Sequence, residues 1–255
     1  MSDGIDVRKC EGVEEFRRCV ELQKEVWNFS DLELVPLRMF VVADKVGGQV
    51  IGAYDGNTLA GFTLAVPGTR NGRLYLHSHM AGVKDSYRNS GVGRRMKLFQ
   101  RDEAMSRGID LVEWTYDPLE IKNAFFNIER LGAISRRYTI NQYGVTTSAL
   151  HGGLPTDRLI AEWWLRSKRV ESLLSKGVHA KFEVKRSIEV PGEINAWKAA
   201  PTTRDKAVAV QERNRQNFLQ AFSQGLGVLG YERESTGAGK FLLGRWDEDW
   251  SYATK

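Results

Sequence analysis

The chain has 255 residues, of which 42% are apolar, 27% are charged and 10% are aromatic. This balance is typical of a folded globular protein and argues against a disordered or fibrous chain. Lysine and arginine number 37 against 32 aspartates and glutamates, so the net charge of +5 permits an anionic partner without requiring one. No run of about 18 apolar residues predicts a membrane helix, and no apolar leader is recognisable. We therefore expect a cytoplasmic protein without a membrane partner.

The two cysteines, Cys10 and Cys19, form neither a CxxC pair nor a cluster with histidine. A disulfide framework or a zinc site would need more cysteines at characteristic spacings. We therefore expect both thiols to be reduced and structural, and we predict no metal site.

The N-terminal part of the chain predicts a strand, two helices and an antiparallel meander. A strand is expected at residues 5–7, and Phe16, Cys19 and Trp27 recur at the spacing of one helix face. A second helix is expected from Pro36, which is favoured in a first helical turn. Three segments rich in β-branched and aromatic residues follow, separated by turn residues, at 50–54, 58–66 and 74–83.

The middle of the chain alternates helices and strands. A helix is expected at 91–107, where Val92, Met96 and Phe99 lie on one face between charged positions. Because a strand precedes and follows this helix, the sheet should contain one parallel pair joined by a crossover. Further elements are expected in the order strand, helix, strand and strand, at 109–116, 119–130, 134–142 and 158–165.

Beyond residue 168 the pattern changes to basic connections between shorter elements. We expect a strand at 181–190, a helix at 204–223 and a terminal strand pair at 227–233 and 241–246. The predicted fold class is therefore α+β, with a mixed, mostly antiparallel central sheet flanked by helices and a small C-terminal α+β extension. The predicted domains are residues 1–168 and residues 169–255, and the sequence assigns no role to the second.

Residues 87–95, YRNSGVGRR, place two glycines between a predicted strand and a predicted helix. The N–H groups and the macrodipole at a helix N-terminus favour an anion, and a glycine lets a phosphate oxygen reach the main chain. Two glycines alone are a weak signal. The spacing is not that of a Walker A loop, and the dinucleotide fingerprint GxGxxG is incomplete because position 96 is Met. Seven basic and three acidic residues between Lys84 and Arg107 surround the loop with positive charge.

Val83, Arg88, Gly91 and Gly93 match every fixed position of the pattern V-x-x-x-x-[RQ]-x-x-G-x-[GA]. This segment resembles the acetyl-CoA motif of the GNAT superfamily of acyl-CoA-dependent N-acyltransferases. The order of predicted elements over residues 5–168 is also similar to that family. The resemblance implies that acetyl-CoA is the co-substrate and that a short acyl group passes to an amine, and it leaves homodimerisation open.

The resemblance also implies which residues bind coenzyme A. The glycine loop would hold the pyrophosphate, and the strand before it would pair with the pantetheine arm as with an added strand. Asn123 is a further candidate, although it stands two positions after the family's asparagine slot, which Ile121 occupies. The other implied contacts are Ala81, Val83, Arg88, Asn89, Ser90, Gly91, Val92, Gly93 and Arg94.

Because an alkylamine has a pKa of about 10, a base or a chain of water molecules should help to remove its proton at neutral pH. His77 and His79 alternate with Ser78 and Met80 on the strand before the glycine loop, so both histidines should lie on one face. The family's base commonly comes from this region. The alternative is that both histidines are partly buried and hydrogen-bonded. Glu113, on the strand after the helix, is a third candidate base.

The departing thiolate needs a proton, and the developing oxyanion needs a donor. The tyrosine that often supplies the proton in this family falls on Ile128, which cannot donate one. Two substitutes are available: a water molecule, or Tyr116 at the end of the strand that would line the coenzyme cleft. Tyr116 could instead be a packing residue. A backbone N–H near Met80 or Ala81 would bind the carbonyl oxygen.

Three classes of function compete on this sequence. The favoured one is an N-acetyltransferase. A non-catalytic CoA-binding or regulatory protein on the same fold is the alternative, and Ile128 in place of tyrosine supports it. A nucleic-acid binder is disfavoured because no aromatic residues or base-reading motifs accompany the basic segment. The acceptor amine stays unassigned among small amines, antibiotics, amino acids, peptide N-termini and protein lysines.

Overall fold

The computed structural model describes residues 4–29, 33–144 and 152–246. Contacts divide the chain into two compact units, of which the first ends at Glu113 and the second begins at Trp114. This boundary falls inside a strand. The division into domains at residue 168, which the sequence suggested, stays a prediction.

The first unit is a sheet with helices, and its strands follow the order β1-β2-β3-β4-β5. All neighbouring strands are antiparallel except β4 and β5, which are parallel and pair Leu76 with Val112 and His77 with Glu113. The predicted meander and the predicted parallel crossover are therefore confirmed. The elements are β1 (Ile5–Lys9), α1 (Gly12–Trp27), α2 (Leu37–Lys45), β2 (Gln49–Asp55), β3 (Thr58–Arg70), β4 (Arg73–Val83), α3 (Val92–Ser106) and β5 (Leu111–Tyr116).

An apolar core holds α1 and α2 against the sheet of the first unit. Phe16 of α1 and Phe40 of α2 are buried in one cluster with Phe62 and Leu64 of β3. The rings of Phe40 and Phe62 lie 5.9 Å apart at their centroids. Because Phe40 has no exposed surface, it is a core residue.

A bulge interrupts the pairing of β3 with β4. Leu64 pairs with Met80, but the next residue, Ala65, pairs with Ser78, so His79 is the extra residue. Met80 packs against the α1 and α2 cluster, whereas Ser78 contacts α3. Ser78 and Met80 therefore contact different elements, because the bulge breaks the simple alternation of side chains on which the placement of both histidines on one face was based.

The second unit has strands in the order β7-β6-β9-β10-β8, and its ladders are antiparallel. Helix α4 continues into a π-helical turn, Phe126–Arg130. After the end of β5 the elements are α4 (Ile121–Phe125), β6 (Ile134–Thr139), β7 (Arg158–Trp164), α5 (Lys168–Lys176), β8 (Arg186–Val190), α6 (Ile194–Ala199), α7 (Arg204–Ser223), β9 (Leu226–Arg233) and β10 (Gly239–Arg245).

Helices α5 and α6 were not predicted, and the strand expected at 181–190 occupies only its second half. Helix α5 nevertheless carries standard end signals. The hydroxyl of Ser167 caps it by accepting the N–H of Val170 at 3.3 Å, and Gly177 ends it with a φ of 66°. Both end signals are visible in the sequence, but the many basic residues of this segment favoured a connecting loop over a helix.

The predicted fold class is confirmed, since a mixed and mostly antiparallel sheet is flanked by helices. Within the described residues, no helix is long and apolar enough to cross a membrane. The same residues contain no group of three or more side chains arranged to hold a metal ion.

Candidate functional site

The glycine loop joins β4 to α3 in the first unit, as predicted. Its backbone turns at Asn89 and Gly91, whose φ angles of 61° and 87° are left-handed. Gly91 is the N-cap of α3, and no side chain caps this helix end. Helix geometry leaves the N–H groups of residues 92–94 without acceptors inside the helix. The loop therefore presents unsatisfied donors at the positive end of a helix macrodipole, which is an arrangement suited to an anion.

Gly93 has no packing reason to be a glycine. A Cβ added there would meet only a methyl group of Val83, at 3.8 Å, which is ordinary van der Waals contact. A Cβ at Gly91 would meet nothing within 4 Å, although its positive φ favours glycine. Because the protein leaves room at both positions, the side that lacks Cβ atoms is open to a ligand.

Most side chains of the loop are exposed, and the exposed ones include arginines. Arg88, Asn89, Ser90 and Arg94 all reach solvent, while Val92 is buried and anchors the first turn. Arg88 donates to Asp85 at 2.8 Å in an exposed pair, which costs little to exchange for a phosphate. The predicted phosphate contacts therefore lie together at one accessible place in the first unit.

Among the described residues of the first unit, β4 has no ladder partner beyond His77 on the edge that faces β5. The parallel ladder with β5 ends at His77 and Glu113, while β4 continues to Val83 and stays paired with β3 on its other side. Ala81 on this stretch is exposed and Val83 is half-buried. Free backbone groups at a strand edge can accept an extended ligand as an added strand.

The two candidate bases lie next to each other on β4. The ring centroids of His77 and His79 are 6.2 Å apart. His79 is exposed and His77 is half-buried. Burial lowers the pKa of His77, with a further contribution from His79, and the surrounding protein also lowers the pKa of His79. Both imidazoles are therefore neutral at pH 7 and able to accept a proton.

Glu113 pairs with His77 across the ladder but is held by an arginine. Its side chain is buried, and its two oxygens accept from the two terminal nitrogens of Arg70 at 2.6 and 2.8 Å. A bidentate arginine holds both carboxylate oxygens in charged hydrogen bonds, so neither is free to accept a proton from a substrate. Arg70 was missed from the sequence because it lies 43 positions away.

The burial of Lys97 was not predicted either, although this residue lies inside the predicted helix α3. It is 5% exposed and donates to Ser78 Oγ at 2.8 Å and to Gln100 Oε1 at 3.0 Å. Burial lowers the pKa of Lys97 to about 7. The buried stripe of α3 thus includes Lys97 and Gln100, whereas Phe99 is only half-buried. One of the basic residues counted around the loop is therefore internal.

In the second unit, Tyr116 is a buried residue. Its side chain is 2% exposed, and its hydroxyl lies 3.1 Å from Ser135 Oγ. Burial raises its pKa. Ile128, which occupies the family's tyrosine slot, is buried in the π-helical turn. These surroundings are typical of packing residues.

Asn123 lies on α4 in the second unit and is exposed. The carboxylates that precede this helix have an internal partner. Buried Lys198 donates to Asp117 at 3.0 Å and to Glu120 at 2.8 Å. Asp117 therefore already has a cationic partner within its own unit.

Comparison with solved structures supports the fold. An acetyltransferase of Escherichia coli that acts on the alanine of ribosomal protein S18 is 14% identical, with a TM-score of 0.52, and covers 64% of this chain and 95% of its own. A protein of Desulfovibrio desulfuricans assigned to the GNAT acetyltransferases is 14% identical, with a TM-score of 0.51, and covers 63% of this chain and 99% of its own. This chain has the GNAT fold.

A third GNAT-like structure, from Salmonella typhimurium, was solved with its cofactor acetyl-CoA and assigned as an acetyltransferase. It is 14% identical, with a TM-score of 0.52, and covers 66% of this chain and 98% of its own. No protein-family model and no curated protein matches the sequence. These three structures cover 63 to 66% of this chain, so about a third of the chain lies outside the part that is similar to them.

Proposed function

We propose that this chain is an acyl-CoA-dependent N-acyltransferase that transfers an acetyl or similar short acyl group to an amine. The observation that carries the proposal is the glycine loop at the N-terminus of α3. On a GNAT fold it combines open glycines, free N–H groups and exposed arginines. Two glycines in a turn would not support this reading without the helix and the strand edge beside them.

The loop would hold the pyrophosphate of acetyl-CoA. The N–H groups of residues 92–94 donate to phosphate oxygens, and Arg88 exchanges its exposed partner Asp85 for a phosphate. Asn89, Ser90, Gly91 and Arg94 form the rest of the proposed contact. The missing Cβ of Gly93 lets the anion approach the main chain. Asn123 on α4 stays a proposed coenzyme contact.

The open edge of β4 would bind the pantetheine arm and orient the thioester. Ala81 and Val83 offer backbone groups to the amides of the arm, in the manner of an added strand. A backbone N–H near Met80 or Ala81 would stabilise the oxyanion. This stretch begins next to the bulge at His79, so the proposed base and the oxyanion donor lie within two residues of each other along β4.

We assign the general base to His79 rather than to His77 or Glu113. His79 is exposed and neutral at pH 7, so it can take the proton of an ammonium acceptor, directly or through water. His77 is partly buried, and Glu113 is occupied by Arg70. Water supplies the proton to the departing thiolate, because the hydroxyl of Tyr116 lies in the interior of its unit.

Binding can be tested before any acceptor is known. We expect acetyl-CoA and CoA to raise the Tm of the protein in a thermal shift assay, and a single-stranded oligonucleotide to leave it unchanged. Titration calorimetry of the G91D variant should show no CoA binding, since a carboxylate would stand where the phosphate binds. If CoA species leave the Tm unchanged, the proposal fails.

A second candidate function is a non-catalytic CoA-binding or regulatory protein. This function is favoured because neither candidate position offers a tyrosine that could protonate a thiolate: Ile128 occupies the family's tyrosine slot, and Tyr116 is buried. Release of free CoA from acetyl-CoA, measured across a panel of small amines, amino acids, peptides and aminoglycosides, separates the two functions. Tight CoA binding without release on any acceptor would favour the second.

A further inference from the structure

The two cysteines of the chain meet inside the first unit. Cys10 follows β1 and Cys19 lies on α1, and their sulfurs are 3.9 Å apart. Both are buried, with exposures of 4% and 0%. The turn that brings them together passes through Gly12, whose φ of 71° is left-handed. Such proximity was not predictable from a spacing of nine residues without the path of this turn.

Hydrogen bonds make the two sulfurs chemically unequal. The hydroxyl of Tyr54 lies 3.3 Å from the sulfur of Cys10 and donates to it. The guanidinium of Arg8 lies 4.1 Å from the centroid of the Tyr54 ring and bonds to Glu15 at 2.8 Å. The hydrogen bond between the two thiols, assisted by that from Tyr54, lowers the pKa of Cys10, while the same bond and burial raise the pKa of Cys19. Cys10 is therefore the nucleophile of the pair and Cys19 the partner that resolves it.

We propose that Cys10 and Cys19 are an oxidation site at which hydrogen peroxide closes an intramolecular disulfide. The sulfurs must approach by roughly 2 Å to reach bonding distance. Cys10 directly follows the edge strand β1, which among the described residues pairs only with β2, so a side-chain rotation and a small shift at this edge can bring the sulfurs together. The bond would tie the end of β1 to α1.

The chemistry balances with one peroxide. The thiolate of Cys10 attacks a peroxide oxygen, the O–O bond breaks, and the departing hydroxide takes a proton to become water. Cys10 is then a sulfenic acid. The sulfur of Cys19 attacks the sulfur of Cys10, an S–S bond forms, and the hydroxyl leaves with the proton of Cys19 as a second water. Two thiols and one peroxide thus give one disulfide and two waters.

The sequence allows direct detection of this bond. Trypsin cuts after Lys9, Arg17, Arg18 and Lys24, so Cys10 and Cys19 fall on separate peptides, 10–17 and 19–24. We expect reduced protein treated with hydrogen peroxide to lose both thiols, as counted with a thiol reagent in denaturant, and to lose two hydrogens in intact mass. Without reduction, the two peptides should appear as one linked species, and dithiothreitol should separate them. Circular dichroism recorded during the reaction verifies that the protein stays folded.

Variants assign the roles. In C19S the sulfenic acid of Cys10 should persist and be trapped by dimedone, and in Y54F the reaction should slow by a few-fold because the donor to Cys10 is lost. If a variant does not fold, the peptide result on the natural chain still decides. Any of three results would overturn the proposal. The thiols could survive peroxide under conditions that oxidise added glutathione, the two cysteines could be overoxidised separately, or the disulfide could form between two chains. The site lies outside the proposed coenzyme loop, so none of these results depends on acyltransferase activity.

Discussion

Lys97 Nζ donates a hydrogen bond to Ser78 Oγ at 2.8 Å, and this bond joins α3 to β4 beneath the bulge that carries His79. The helix that presents the glycine loop is thereby tied to the strand that presents the candidate base. A lysine is rarely buried without a reason. Here the structure holds it among Ser78, Gln100 and their neighbours in the interior of the first unit.

Lys97 should make stability depend on pH. Burial lowers its pKa to about 7, whereas a lysine in the unfolded chain has a pKa of about 10.4. Between these values the unfolded state binds the proton and the folded state does not, so stability should rise with pH by up to about 1.4 kcal/mol per unit. Urea unfolding at pH 7.5 and pH 9.5 should show this rise. It should be absent in K97M and present in the K45M control, in which the lysine is exposed on α2. A similar rise in K97M would contradict the assignment.

Replacement of Gly93 by alanine should separate folding from binding. The added Cβ meets only Val83 at 3.8 Å, and alanine is favoured over glycine in a helix by up to about 1 kcal/mol. We therefore expect unchanged or slightly higher stability together with at least tenfold weaker CoA binding, which corresponds to about 1.4 kcal/mol. Calorimetric titration and thermal unfolding of the same preparation measure both. The G4A control lies where a Cβ meets nothing and should bind normally. Normal affinity in G93A would place the phosphate elsewhere.

Arg88 should contribute to affinity and not to stability. Its pair with Asp85 is exposed, with a separation of three residues, so the R88A variant should unfold within about 0.5 kcal/mol of the natural chain. Loss of a charged hydrogen bond to phosphate should weaken CoA binding by about 1.5 to 3 kcal/mol. Arg17 forms a matched exposed pair with Glu14 at the same spacing and supplies the control, R17A. Equal CoA affinity of R88A and R17A would count against the phosphate contact.

His79 should set the acid side of the activity profile. Burial lowers its pKa below the ordinary 6.5, so the imidazole is neutral at pH 7 and activity should fall only at pH values below that ordinary pKa. The H79Q variant should lose about 100- to 10,000-fold in kcat with unchanged CoA affinity, and its remaining activity should lack this acid limb. CoA release measured from pH 5 to pH 8 with an accepted amine tests both points. A profile that is unchanged in H79Q but altered in H77Q would move the role to His77.

Glu113 should behave as a structural carboxylate. Removal of Arg70, as in R70M, leaves its charge buried without this partner and should destabilise the protein by about 3 to 5 kcal/mol. The control is E25Q, which breaks the more exposed ion pair between Glu25 and Lys84. This variant should change the free energy of unfolding by less than about 1 kcal/mol. If E113Q instead kept full stability and lost turnover, Glu113 would be the base and His79 would not.

The sequence by itself determined most of the secondary structure and the position of the coenzyme loop. Strand alternation, helical spacing and turn glycines act over a few residues, so they predicted β1 to β5, α3 and α7 within a few positions of their observed ends. The segment from Val83 to Gly93 is equally local. Its strand, turn and helix lie next to each other along the chain, and the structure found them as predicted.

Only the tertiary structure decided which side chains meet. Arg70 reaches Glu113 across 43 positions, and Lys97 reaches Ser78 because α3 crosses the sheet at a particular register. The bulge at His79 reassigned the faces of β4, which a strict alternation could not anticipate. Partners such as these depend on strand register and helix placement, which many weak contacts set together across the chain. No local sequence pattern therefore predicts which side chains contact each candidate base. The loop that faces the proposed coenzyme, in contrast, is encoded within about ten residues.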